Sequence, residues 1–252
     1  MAKTRESYEE RLKWNVKDIY QSEEDFERDF TFYKKRLEEY EKYRGHILDS
    51  AKSLYAFLVF DTENEKIMDQ LYVYAHLQSD QDTRNTKFQE LEKRVYHLYR
   101  KGAEMTSFVV PELVGADYET IENYISEEPG LEAYRRVLKD LFKFKSHTLS
   151  EKEERILSSI SSAFDTSDNV FSLLTDADMK FPKVEDEEGQ VIELSEKNYS
   201  KLVRNKDRKV RKQAFHSLLE TYGQFKNTYA ALLANKVSND NKIARLRNYG
   251  SA

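Results

Sequence analysis

Five histidines, His46, His76, His97, His147 and His216, are the side chains of this sequence best suited to metal or acid–base chemistry. A zinc hydrolase of the H-E-x-x-H kind needs two imidazoles one helical turn apart to share the metal, with a glutamate between them to activate the bound water. None of the five is followed by glutamate, and no two are four residues apart. None stands in the Glu-x-x-His spacing of carboxylate-bridged metal sites either. Local motifs therefore nominate no catalytic residue and no metal ligand, and they leave any substrate-binding residue unknown.

Other chemistries are as poorly served. There is no Gly-x-Ser-x-Gly elbow, the 7 glycines never cluster into a phosphate loop, and the absence of cysteine excludes thiol catalysis. His76 with Asp80 and His216 with Glu220 are one turn apart on expected helices, a spacing that suits surface ion pairs. The sharpest electrostatic feature is the run Lys201, Arg204, Lys206, Arg208, Lys209, Arg211, Lys212, flanked by Tyr199 and Phe215. In one reading it binds the phosphates of a nucleic acid, with the two aromatics as stacking groups. In the other it is a helix start and its preceding turn, facing the acidic remainder of the chain.

The elements that carry these residues read as helices. Phe26, Phe30, Tyr33, Leu37 and Tyr40 are spaced four, three, four and three within residues 22–43, a single apolar stripe, with Ser22 and Asp25 spaced as a capping box and Gly45 beyond the end. A second helix is expected over 50–60 and a third over 64–79, with Ile67, Leu71, Tyr74 and Ala75 inward. A fourth follows from about 84 to 109 through Phe88, Leu91, Val95, Leu98 and Met105. Pro111 and Gly115 punctuate the chain, and shorter helices follow over 117–126, 131–142 and, from the capping pair Ser150 and Glu153, to about Phe164. Asp165 or Ser167 caps the next, which carries Phe171 and Leu174. The β signal is confined to Met179–Val184 and Gln190–Leu194 around the polar loop Glu185–Gly189, with Pro182 at an edge or outside the pairing. Helices resume over 195–204, 207–225 and 227–247.

Composition agrees. Only 7 glycines and 3 prolines break a chain with 35% charged and 13% aromatic residues, which favours helix and supplies enough packable surface for a core. The expected class is mainly α: a multi-helix bundle with one small β-hairpin near residues 179–194. The sequence divides at soft boundaries into an amino-terminal helical bundle (1–110), a second helical domain (111–182), and the hairpin with the helices after it (183–252). The start Met1–Glu6 lacks a signal peptide, no apolar run approaches the roughly 20 residues a membrane helix needs, and the lack of cysteine suits a reducing, intracellular compartment. The glycosylation pattern Asn198-Tyr199-Ser200 is accidental on that reading. Residues 201–252 hold 12 Lys/Arg against 3 Asp/Glu, a net +9; with −5 overall, residues 1–200 carry −14. The basic last fifth is a partner surface or one of two mutually attracting faces.

An ordered set of segments resembles the oligoendopeptidase F family. They are Trp14–Tyr20, Tyr74-Ala75-His76, Pro111-Glu112-Leu113, His147–Ser150, Asp178–Val184, Asp186–Gly189, Asp207–Phe215, Asn227–Leu233 and Ala244–Ala252. The resemblance implies the amino-terminal part of a cytoplasmic zinc endopeptidase that cleaves short peptides in a channel between helical walls. It further implies a zinc ion held by two histidines and a downstream glutamate, none of which has a counterpart here, so this chain alone is expected to bind no zinc and to be inactive. The partners implied are the carboxy-terminal catalytic half and, in the whole enzyme, a short peptide. The apolar residues of the last helix, Tyr229, Leu232, Leu233, Val237, Ile243 and Leu246, add an expectation of self-association. A helical interaction module binding nucleic acid through 201–212 is the alternative.

Overall fold

The computed structural model describes residues 8–81 and 85–252, apart from the side chain of Ala177. The Met1–Glu6 start and the expected helix start near Arg84 lie outside the described residues. The chain is mainly α with one two-stranded hairpin, and it divides into two compact units, Met1–Ile160 and Ser161–Ala252. The sequence boundaries near 111 and 183 fall inside these units. No described helix is long and apolar enough to cross a membrane.

Helix α1 (Glu23–Leu37) opens on Ser22, whose hydroxyl accepts from the Asp25 backbone N–H at 3.2 Å, and three acidic residues occupy its positive end. Its apolar stripe goes inward: Phe26, Tyr33 and Leu37 are buried. A tighter 3-10 turn, Glu38–Lys42, then brings Tyr40 inward as well. The second and third expected helices are one continuous helix, α2 (Ala51–Gln81). Asp61-Thr62-Glu63, between the two expected helices, contains no glycine or proline. Its polar side chains, and that of the next residue, are taken up: Asp61 accepts from Tyr40, Glu63 pairs with Arg36 at 3.1 Å, and Asn64 turns into the core.

Helix α3 (Thr86–Met105) pairs closely with α2, and both contact α1. A short α4 (Val109–Gly115) then forms where Pro111 and Gly115 read as punctuation. Pro111 sits in its first turn, where a backbone N–H has no intrahelical partner to lose. Helices α5 (Tyr118–Glu127) and α6 (Arg135–Phe142), joined by a 3-10 segment from Pro129 to Tyr134, complete the core around Phe57, Leu71, Phe108, Ile121, Leu131 and Leu138. Each such side chain contributes about 1.5–3 kcal/mol by leaving water. Helix α7 (Glu151–Phe164) starts at Ser150, whose hydroxyl and backbone N–H both donate to the Glu153 carboxylate.

The second unit opens on the last turn of α7, from Ser161, and α8 (Thr166–Ser172) follows and continues as a wider turn, Leu173–Asp178. Strands β1 (Lys183–Glu185) and β2 (Val191–Glu193) pair antiparallel with Val184 opposite Ile192. They are shorter than the alternating runs that foretell them, and Pro182 lies just outside the ladder, its carbonyl accepting from Leu194 N–H at 3.3 Å. The turn is closed by Asp186, whose carboxylate accepts from the Glu188 and Gln190 N–H groups, and by Gly189 at φ +75°, a conformation that favours glycine. Helices α9 (Glu196–Leu202), α10 (Arg208–Gln224) and α11 (Lys226–Leu246) follow. Val184 and Leu194 meet Leu202, Val210 and Ala214 in a small second core.

Candidate functional site

The histidines stay apart. His46 faces Asp49 at 2.9 Å and His216 faces Glu220 at 3.7 Å, each within its own segment. His76 reaches Asp80 at 3.6 Å, as its spacing suggests, but its closer partner is Glu92 on α3 at 2.7 Å, and its ring stacks on Tyr72. The Glu92 hydrogen bond, aided by Asp80, raises the imidazole pKa above its ordinary value. Among the described residues, no group of three or more histidines and carboxylates is placed to hold a metal ion. Zinc chemistry of the kind the family implies does not fit these residues.

The basic segment is built onto the hairpin. Asp207 caps α10 by accepting from Lys209 N–H at 2.7 Å, and Val210 and Ala214 carry the helix into the second core. Arg211 donates to the carbonyls of Asn205 and Lys206, closing the turn between α9 and α10. Asn205 in turn donates to Glu187, and the Gln213 side chain accepts from Glu185 N–H, so the turn, α10 and the hairpin interlock. Lys201, Arg204, Lys206, Arg208, Lys209 and Lys212 are exposed. Of the two flanking aromatics, Tyr199 packs against the second core while Phe215 is 46% exposed. Asn198, in the glycosylation-like triplet, uses its side chain to cap α9, accepting from Ser195 N–H and donating to the Glu193 carbonyl.

A feature with no single sequence motif lies between α8 and α11. Asn235 donates to the Ser167 hydroxyl at 2.9 Å and fixes the two helices together. Beside that contact Phe171, Tyr222, Tyr229, Leu232 and Leu233 line an apolar groove of about 450 Å³. Its aromatic floor is continuous, with Tyr229 5.6 Å from Phe171 and 5.7 Å from Tyr222 between ring centroids. A second hollow of about 410 Å³ runs along the far end of α11 past Ile243, Ala244 and Tyr249. Of the 21 residues of α11 only Ala244 is buried, and Leu233 is 66% exposed. The helix therefore keeps apolar side chains open along its length, as a surface that receives a partner does.

Of the segments that carry the resemblance, Asp178–Val184 and Asp207–Phe215 thus meet in one small core, Asp186–Gly189 forms the turn of its hairpin, and Asn227–Leu233 lines the neighbouring groove. Comparison with known proteins agrees. Residues 112–181 match the family described as Oligopeptidase F. The chain is 36% identical to Oligopeptidase PepF of Bacillus subtilis (strain 168), over 95% of this chain and 36% of that protein. It is 36% identical to the plasmid-encoded Oligoendopeptidase F of Lactococcus lactis subsp. cremoris, over 100% of this chain and 42% of that one. The crystal structure of oligoendopeptidase-F from Enterococcus faecium superimposes on 90% of the chain with a TM-score of 0.82 at 34% identity. The chain belongs to the oligoendopeptidase F family. It corresponds to the amino-terminal part of those proteins and spans 36–42% of the length of these two relatives.

Proposed function

We propose that this chain is the amino-terminal portion of a zinc-dependent, cytoplasmic oligopeptidase that hydrolyses short peptides. In that enzyme it forms a wall of the substrate channel, and the zinc ligands and the general base come from residues other than its own. The observation that carries this reading is the match over 90% of the chain to a solved oligoendopeptidase-F of which it covers 44%. The lack of an H-E-x-x-H sequence is consistent with it, because the metal chemistry then lies elsewhere in the protein. The hairpin–α10 core serves as a rigid support on this reading, and the α8–α11 groove receives the catalytic half or, in its absence, a second copy. The purified chain provides the test. It is expected to carry no stoichiometric zinc and to leave an unstructured peptide intact, and chelator-sensitive cleavage by the chain alone would overturn the reading.

The six exposed cations of 201–212 favour a second reading, binding to nucleic acid. Counterion release would make such binding fall steeply with salt. Micromolar binding to mixed-sequence RNA or DNA at physiological salt, weakened by charge reversal at Lys209 and Lys212, would establish it.

A further inference from the structure

Helix α2 carries Asp61, Glu65 and Asp69 at four-residue intervals, one carboxylate per turn on a single face. Together with Tyr33, Tyr40 and Tyr99 they line a cavity of about 440 Å³ in the first unit, and no lysine, arginine or histidine shares that lining. Burial is graded along the face. Asp61 is half-buried beside the buried Tyr40, whereas Glu65, Asp69 and Tyr99 are exposed.

One observation besides the carboxylates points to a ligand. Tyr33 lines the cavity at 6% exposure, its hydroxyl lies against Gly102 of the same wall, and it makes no side-chain hydrogen bond among the described residues. Asn64, 1% exposed and on the same helix, lies outside this lining and turns its amide toward the Tyr40 hydroxyl. Buried polar groups are ordinarily paired, so the open Tyr33 hydroxyl marks a place for a ligand; of the carboxylates beside it Asp61 accepts from Tyr40, and none has a cationic partner in the lining. Burial holds the Asp61 carboxyl above the usual range; Glu65, exposed as a residue, is raised by the partial desolvation of its carboxyl and then by Asp61 and Asp69. Burial, and then the same carboxylates, push the Tyr33 phenol up to about 12.

The arrangement also says what shape the donor has. The three carboxylates lie in a line and do not converge, and no group among the described residues is placed to hold a metal ion. Four residues of helix rise about 6 Å, close to the roughly 6 Å between the nitrogens of an extended four-carbon diamine. Tyr99, the exposed aromatic of the lining, is of a type that attracts cations and covers methylenes, whereas the Tyr40 ring is packed on Phe57 and Phe60.

We propose that this cavity binds a linear aliphatic amine end-on. One ammonium sits between Asp61 and the Tyr33 hydroxyl, the methylenes lie along Tyr99, and a second cationic group pairs with Glu65 or Asp69. A free diamine and the side chain of a lysine in a peptide present the same chemistry. The site is independent of the peptidase reading, since it stands on the first unit alone.

Titration calorimetry of the whole chain at low ionic strength tests this with 1,4-diaminobutane, butylamine and an N-acetylated lysine amide. The diamine is expected to bind saturably at one site, and butylamine about tenfold more weakly for want of the second charge. Asp61→Asn is expected to weaken the diamine about tenfold, and Glu65→Gln, at an exposed position that does not endanger folding, to weaken it in the same direction. Tighter binding of the lysine amide than of the diamine would assign the site to a peptide side chain, and the reverse order to a free amine. No saturable binding of any of the three up to about 10 mM, or diamine binding unchanged in both variants, would overturn the proposal.

Discussion

The Tyr40 hydroxyl donates to Asp61 Oδ1 at 2.6 Å, joining the 3-10 turn after α1 to the middle of α2. Both partners are drawn out of water, so the bond satisfies a carboxylate that burial otherwise penalises. Tyr40→Phe leaves that carboxylate without its donor and is expected to cost about 1–3 kcal/mol in urea unfolding at neutral pH. Asp61→Asn should do the opposite. The folded-state pKa of Asp61 is raised, so the folded chain holds this proton more tightly than the unfolded one. Its contribution to stability therefore falls as pH rises from the unfolded carboxylate range, about 3.9, through the folded pKa. Asp61→Asn removes that fall, so its gain in stability is expected at pH 7 and absent in acid; a gain that persists in acid would point to some other cause.

Glu112 grips the loop after α1 from 65 and 67 residues away, its carboxylate accepting from Ile47 N–H at 2.8 Å and Gly45 N–H at 2.7 Å. Gly45 itself holds φ +77°. Hydrogen bonds to a charged acceptor are among the stronger ones, so Glu112→Ala is expected to destabilise by about 1.5–3 kcal/mol and Glu112→Gln by less. Chemical denaturation of the two variants checks the order.

His76 bridges α2 and α3 through Glu92. Its folded pKa is raised by that hydrogen bond first and by Asp80 after it, so its stabilising contribution is complete below the ordinary value of 6.5 and is lost as pH rises through the folded value. The pair is partly exposed and screened, which keeps the effect to a fraction of a kcal/mol. His76→Gln should lower stability slightly below about pH 6.5, remove the fall above it and leave stability at high pH unchanged; an unchanged profile would show that the pair contributes nothing.

The open face of α11 makes association the expected state of the isolated chain. Sedimentation at high micromolar concentration should show oligomers, and Leu233→Glu with Val237→Glu, both at residues at least half exposed, should return the chain to a monomer without loss of helix. A strict monomer in the unsubstituted chain would show that α11 needs no cover.

Much of the fold is legible in the sequence because helical stripes announce themselves. Phe26, Tyr33 and Leu37 are inward as their spacing requires, and the alternation around Asp186–Gly189 does form the hairpin. What the sequence conceals are choices made by distant partners. The continuity of α2 through Asp61–Asn64 depends on Tyr40 and Arg36, more than twenty residues earlier, and the closer partner of His76 lies on the next helix. The α8–α11 groove is half legible. The excess of apolar residues on the last helix is plain, whereas its meeting with Phe171 is a tertiary event.

The most direct measurement replaces the matched amino-terminal region of the Bacillus subtilis relative with this chain and follows hydrolysis of an internally quenched short peptide. The account predicts chelator-sensitive cleavage by the chimera, none by the chain alone, and a marked loss when Leu233→Glu and Val237→Glu are introduced into the chimera. A folded, zinc-loaded chimera without activity, or cleavage by the chain alone, would contradict it.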